Sequence, residues 1–207
     1  AAREFVSCGR DAQVTVLEKM PRPGRKIMIT GKGRCNFTNV KAWNDFSLHV
    51  HPKSAALRPA FYNFPPEKVM EFFERAGVPC VVERGDRAFP ESHISSDIVD
   101  ALVRAAGSSG ARIFCDTSVE SVSAPENGLF SVLTSAGSFE CRSLLIATGG
   151  LSYPGTGSTG DGYRFAKDFG HSVKDCVPSL VPLECKEADV CREMCGLSLK
   201  NVTLTLK

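Results

Sequence analysis

A glutamate closes a short apolar run, Ala12-Gln13-Val14-Thr15-Val16-Leu17-Glu18. A carboxylate offers only acceptors, which suits two adjacent hydroxyl donors such as those of a ribose. Dinucleotide-binding βαβ units place an acidic residue at such a strand end, about 20 residues beyond a glycine turn. A surface glutamate at the end of a strand is the plain alternative, and this segment alone leaves both open. Gly24-Arg25-Lys26 follows, and then Thr30-Gly31-Lys32-Gly33-Arg34-Cys35-Asn36-Phe37-Thr38-Asn39. Glycine lets backbone N–H groups come close to a ligand. Arg and Lys supply charge for phosphate, Arg with a forked geometry. A merely basic surface loop has no need of glycines and asparagines so tightly spaced, so the composition favours a ligand loop. A third string, Leu144-Leu145-Ile146-Ala147-Thr148-Gly149-Gly150, leads into Gly157-Ser158-Thr159-Gly160-Asp161-Gly162-Tyr163. Ligands of open α/β sheets bind at strand ends of this kind. The helix predicted to follow has free N–H groups that suit an anion, with Asp161 in its first turn.

Other residues carry weaker signals. Cys35 lies beside Arg34, whose charge would lower a thiol pKa. Arg34 could also stabilise a developing negative charge. These two are the candidate catalytic residues. Cys185, Cys191 and Cys195 are close in sequence but lack a fourth ligand at standard spacing, so no metal is assigned. His49 and His51 read as surface histidines. His171 follows Gly170, where an imidazole can meet the last carbonyls of a helix. The sequence has no Ser-His-Asp arrangement, no H-E-x-x-H and no Walker loop.

These residues need elements to position them. Ala1 to Cys8 reads as the end of a helix stopped by Gly9, and 12–18 as a buried strand of a parallel sheet. Together they form the second half of a βαβ unit whose first strand and glycine turn are expected before Ala1. Residues 21–39 read as a loop with at most one helical turn, and 41–65 as irregular. Helices are predicted over 66–76, stopped by Gly77, and over 96–106, stopped by Gly107. Ile98, Val99, Leu102 and Val103 are the inward face of the second. Strands are predicted over 112–115 and 118–123, and 129–134 with 138–141 as a hairpin around an Ala-Gly turn. Residues 143–148 read as a buried strand, and 161–169 as a helix stopped by Gly170. Val202, Leu204 and Leu206 alternate as the start of a new β-rich element.

The chain has 207 residues and a formal net charge of +2, with no basic stripe that would suggest nucleic acid. Its nine cysteines are scattered and odd in number, which suggests reduced thiols and a cytoplasmic setting rather than a disulfide framework. No apolar run approaches the roughly 18 residues of a membrane span.

The strings Glu18-Lys19, Gly24-Arg25-Lys26, Thr-Gly-Lys-Gly-Arg-Cys-Asn-Phe-Thr-Asn at 30–39 and Ala-Thr-Gly-Gly-Leu-Ser-Tyr-Pro at 147–154 resemble one family. So do Gly-Ser-Thr-Gly-Asp-Gly-Tyr at 157–163 and Pro-Ser-Leu-Val-Pro-Leu at 178–183. It is the bacterial family of FAD-dependent flavoprotein oxidoreductases that includes aminoacetone oxidases and, more distantly, bile-acid reductases. The resemblance implies an α/β fold: an FAD/NAD(P)-binding Rossmann-like domain with a β-meander over 1–183, interrupted by a helical excursion at about 41–108. Residues 184–207 would open a mostly β insertion domain. By resemblance, Glu18 with Lys19 would hold the adenosine ribose, and Val119 would sit by the adenine. Gly24, Arg25, Lys26, Gly31, Gly33, Arg34, Cys35 and Asn36 would lie along the pyrophosphate and flavin. Ala147, Thr148, Gly149 and Gly150 would line the cofactor's passage, with Asp161 and Gly162 toward the flavin. The implied activity is flavin-dependent hydride transfer with a small-molecule substrate. It is either amine oxidation, as with aminoacetone, or reduction of an unsaturated substrate by NAD(P)H. Two other classes compete: a flavin-binding protein with a tRNA-linked or regulatory role, and a Cys-cluster metal module.

Overall fold

The computed structural model describes residues 13–51, 54–178, 186, 188–197, 202–203 and 205. The expected helix at 1–8 with its Gly9 stop, Cys185, and Leu204 and Leu206 lie outside the described residues. The chain divides into two compact units between Ser172 and Val173. In chain order the first contains β1 (Thr15–Leu17), α1 (Arg25–Ile29), β2 (Thr38–Asn39), α2 (Trp43–Phe46), α3 (Arg58–Asn63), α4 (Pro66–Arg75), β3 (Cys80–Glu83) and β4 (Arg87–Pro90). It continues with α5 (Ser95–Ser108), β5 (Arg112–Phe114), β6 (Val119–Val122), β7 (Phe130–Thr134), β8 (Gly137–Cys141) and α6 (Asp161–Asp168). The second unit contains α7 (Ala188–Glu193), with an Arg192–Asp189 ion pair at 3.1 Å on its surface.

The strands form three small sheets. β1 and β5 pair in parallel, Thr15 opposite Arg112 and Leu17 opposite Phe114. Parallel pairing needs a long crossover, and here it contains α1 to α5 and a second sheet, β2-β4-β3, which is antiparallel. The third sheet is the meander β6-β7-β8, joined to β5 by the edge-on packing of Phe114 against Phe139, with ring centroids 5.6 Å apart. The fold is therefore α/β and Rossmann-like, with a parallel pair and a meander as the motifs implied.

The core sits under the excursion. Cys35, Phe73, Val78, Ile98 and Ala101 are buried together, with Ile27, Phe37 and Val69 packed on them. α4 forms because Pro66 presets its first position, Glu67 complements the first turn and Gly77, at φ +82°, ends it. α5 turns Ile98, Val99 and Ala101 inward, and Ser95 bonds back to the Met28 carbonyl at 2.9 Å.

Several expectations change. α5 runs through Gly107 to Ser108, and the left-handed exit falls at Gly110, φ +77°. Helix packing outweighs the roughly 1 kcal/mol that glycine costs inside a helix. Leu102, expected inward, is 37% exposed. Residues 21–39 hold a helix, a 3-10 turn at Thr30–Gly33 and a strand rather than one helical turn in a loop. The described part of 41–65 contains two short helices, built around the clustered rings of Trp43, Phe46 and Phe61, with Trp43 edge-on to Phe61. The β3–β4 hairpin was not read from the sequence. The β7–β8 turn is Ser135-Ala136, one residue earlier than expected, because Thr134 pairs with Gly137. β1 is shorter and more exposed than the buried strand expected, with Val16 at 40%.

The largest difference is at 143–148. No strand forms there, and Leu145 is 78% exposed. A strand needs a ladder partner for its N–H and C=O groups, and no described segment pairs with this one.

Candidate functional site

The end of β1 is wrapped by the turn after β5. The Glu18 N–H donates to the Phe114 carbonyl at 2.8 Å, and the Thr117 N–H to the Glu18 carbonyl at 2.9 Å. The Glu18 carboxylate accepts from the Met20 N–H at 2.9 Å, which bends the chain sharply after the strand. That bend carries Lys19 to a distant segment. Its ammonium donates to Asp161 Oδ2 at 2.6 Å and to the Thr159 hydroxyl oxygen at 2.5 Å, while Thr159 and Asp161 are themselves 3.1 Å apart. The Lys19 hydrogen bond holds the Asp161 carboxyl below its ordinary pKa; partial burial opposes this and Thr159 assists it.

α1 supplies the second tie. Lys26 donates to the Ser152 carbonyl and lies over the Tyr153 ring, 5.6 Å from its centroid. Tyr153 sits in the left-handed region at φ +53°, just before Pro154. Gly157 packs on the β1 bend: a Cβ there would come within 2.9 Å of Met20. At the start of α6 the Gly162 N–H donates to the Thr148 hydroxyl at 2.9 Å, so Thr148 satisfies one of the free donors of that helix end. The β1 end, the Gly24–Lys26 turn and the 147–162 segment are thus joined in one place.

The glycines have a different explanation from the one expected. A Cβ at Gly24 would meet the buried Val99 at 2.8 Å, one at Gly31 the Asn36 backbone nitrogen at 2.9 Å, and one at Gly160 Leu151 at 2.6 Å. Their absence of a side chain lets protein segments pack on each other. Gly33, at φ +84°, has nothing within 4 Å and stays open to an incoming group. Gly149, at φ +75°, faces the Ser158 hydroxyl, and Gly150 the Tyr163 hydroxyl at 3.5 Å. Ala147 is exposed beside them, and Arg25 is exposed on the first turn of α1.

The second half of the loop is anchored elsewhere. Arg34 donates to Glu83 at 2.9 Å and stacks on Phe89, 4.4 Å from the ring centroid. His93 stands 3.7 Å from the same Glu83. The cation proposed from sequence for charge stabilisation is therefore committed to a carboxylate and a ring of the β2-β4-β3 sheet. Cys35 is 3% exposed, and burial pushes its thiol pKa up, with a hydrogen bond to Thr30 partly offsetting this. Burial thus moves this thiol in the direction opposite to the lowering that its Arg34 neighbour suggests. Asn36, with its amide turned to satisfy its neighbours, donates to the Thr38 and Ala88 carbonyls. Val119 begins β6 opposite Thr134. Met20 and Glu83 were not singled out from sequence, and Ser152, Tyr153 and Thr159 stood in the quoted strings without a role. Only the pre-proline position of Tyr153 hinted at special geometry.

A family model, the HI0933-like protein Rossmann domain, matches residues 2–205. The chain belongs to the HI0933-like family. Among curated relatives it is similar to the 3-dehydro-bile acid delta(4,6)-reductase of Clostridium scindens, 30% identical over 86% of this chain and 42% of the relative. It is also similar to the ribosomal RNA dihydrouridine synthase of Haemophilus influenzae, 33% identical over 93% of this chain and 48% of the relative. The synthase of the same name from Escherichia coli is 32% identical over 82% of this chain and 42% of its own length. This HI0933-like chain spans less than half the length of these relatives. A bile-acid reductase stands among them, as the motifs implied; none of the three is an aminoacetone oxidase by name. Among the described residues no helix of this family member is long and apolar enough to cross a membrane.

Proposed function

We propose that this chain is the nucleotide-binding part of an FAD-dependent oxidoreductase that reduces a carbon–carbon double bond conjugated to a carbonyl, with NAD(P)H as electron donor. The observation that carries the reading is the convergence of the β1 end, the Gly24–Lys26 turn and the 147–162 segment through Lys19 and Lys26. The donor set fits a dinucleotide. The acceptor-only carboxylate of Glu18 suits ribose hydroxyls, Arg25 is exposed to meet phosphate, and Gly33 leaves its backbone open. Lys19 and Lys26, already engaged with Asp161 and Ser152, act as ties that hold the three segments together. Bound FAD would carry two electrons between donor and substrate as a hydride equivalent.

The reduction chemistry draws on the relatives. A delta(4,6)-reductase and a dihydrouridine synthase both saturate a carbon–carbon double bond, although one acts on a bile acid and the other on ribosomal RNA. A small-molecule substrate suits the near-neutral charge of this chain. Uridine in RNA is the second reading, favoured by the relative that matches 93% of the chain. Aminoacetone-type oxidation takes third place.

The test begins with FAD titrated into the purified protein and its Glu18→Ala variant. The variant should bind about tenfold more weakly while keeping its fold, the loss of one charge-assisted bond pair being worth about 1.5 kcal/mol, with a small fall in melting temperature from the lost Met20 N–H bond. Equal affinity would remove Glu18 from the site, and no FAD uptake by either protein would remove the flavin. NADPH consumption by the full-length enzyme with a cyclic enone or with uridine-containing RNA, and oxygen consumption with aminoacetone, then separate the three substrate readings.

A further inference from the structure

Under the excursion, α1, α4, α5 and residues 30–37 line an open pocket of about 490 Å³. Small-molecule sites run from roughly 300 to 1,000 Å³. Four phenylalanines, Phe37, Phe64, Phe72 and Phe73, form much of its wall, and no charged side chain lines it. Phe64, 55% exposed, and Leu102, 37% exposed, stand at its mouth.

The few polar groups on the wall are already satisfied inside the protein. The Thr30 hydroxyl donates to the Ile27 carbonyl at 2.7 Å, and the Asn36 amide donates to Thr38 and Ala88. Cys35 is a neutral thiol bonded to Thr30. A charged ligand would lose its hydration there and find no counter-charge. Water in the pocket would find few polar partners, so an apolar guest that displaces it gains from burial of apolar surface. A partner helix is also a poor fit, since a helix is about 10 Å across with its side chains and this volume holds roughly one turn of it.

We infer that this pocket is a binding site for an uncharged, largely apolar small molecule of fused-ring size, away from the Glu18 end of β1. None of its walls comes from β1 or from the 147–162 segment, but Cys35 and Asn36 on its wall are residues that the resemblance sets along the flavin, so the test is run with FAD present.

Nile red, an uncharged fused-ring dye, tests it in the purified protein with FAD in excess. The dye should bind saturably, one per chain. It should slow alkylation of Cys35 by iodoacetamide, followed by peptide mapping, while leaving the exposed Cys176 unaffected. Filling the pocket by Leu102→Trp, or from the opposite wall by Val69→Trp, should weaken binding by about tenfold or more, with melting temperature as the check on folding. If neither variant folds, Cys35 protection in the parent protein decides alone. Dye binding that leaves Cys35 alkylation unchanged, or that survives both substitutions in folded variants, would overturn the inference, as would no saturable binding.

Discussion

The ammonium of Lys19 serves two acceptors on a segment far along the chain. Because the folded-state pKa of Asp161 is depressed, its contribution to stability is full above the ordinary carboxylate value of about 3.9 and is lost as pH falls through the lower folded value. Lys19→Met should therefore cost about 1 kcal/mol in urea titrations at pH 7. The gap between variant and parent should narrow below about pH 4, as Asp161 protonates in both. A gap that stays constant down to pH 2 would mean that the pair does not set this acid limb. The glycines separate by the same logic. Gly24→Ala meets both φ +75° and the Val99 methyls and should cost about 2–4 kcal/mol. Gly33→Ala meets only a left-handed backbone and should cost about 1 kcal/mol. Similar denaturation midpoints for the two would contradict the packing explanation. The sequence showed that glycines were concentrated here. It could not show which were needed for contacts between segments, because those contacts join residues distant in the chain.

At the scale of elements, what was legible depended on local signals. α4 could be read because Pro66, an apolar face and Gly77 all lie within its own span. α6 was equally readable: Gly170 at φ +79° lets the His171 backbone N–H reach the Ala166 carbonyl, so the stop works through the main chain and not the imidazole. The β3–β4 hairpin was missed because Pro79 to Pro90 holds two prolines, an Arg-Gly-Asp-Arg turn and no clean alternation. Its strands are fixed by pairing with each other and with β2. Residues 143–148 show the opposite error. Leu144-Leu145-Ile146 has strand composition, yet composition supplies no ladder partner. Leu145→Lys should consequently change the stability of this chain by no more than about 0.5 kcal/mol, as an exposed substitution does. A loss above about 2 kcal/mol by chemical denaturation would show that this side chain is buried after all.

At the scale of the molecule, the α/β class and the Rossmann-like arrangement were legible, because a strand-end acid, a glycine-rich basic loop and a second glycine turn occur in a fixed order. The positions of the second sheet and of the apolar pocket were not. Both depend on how five helices fill the crossover between β1 and β5, and many packings satisfy the same hydrophobic pattern. The candidate site divides in the same way. Glu18, the 24–26 turn and the 147–162 segment were read as one region, and the fold joins them. Arg34 and Cys35 were read with them, and the fold turns one to Glu83 and the other into the core.

The bond from Lys19 to Asp161 closes a loop of 142 residues. Closing so long a loop early in folding would sacrifice chain entropy before most other contacts exist to offset it. This contact should thus form after the folding barrier has been crossed. In stopped-flow experiments Lys19→Met should leave the refolding rate unchanged and speed unfolding about fivefold, the full effect falling on one limb of the chevron.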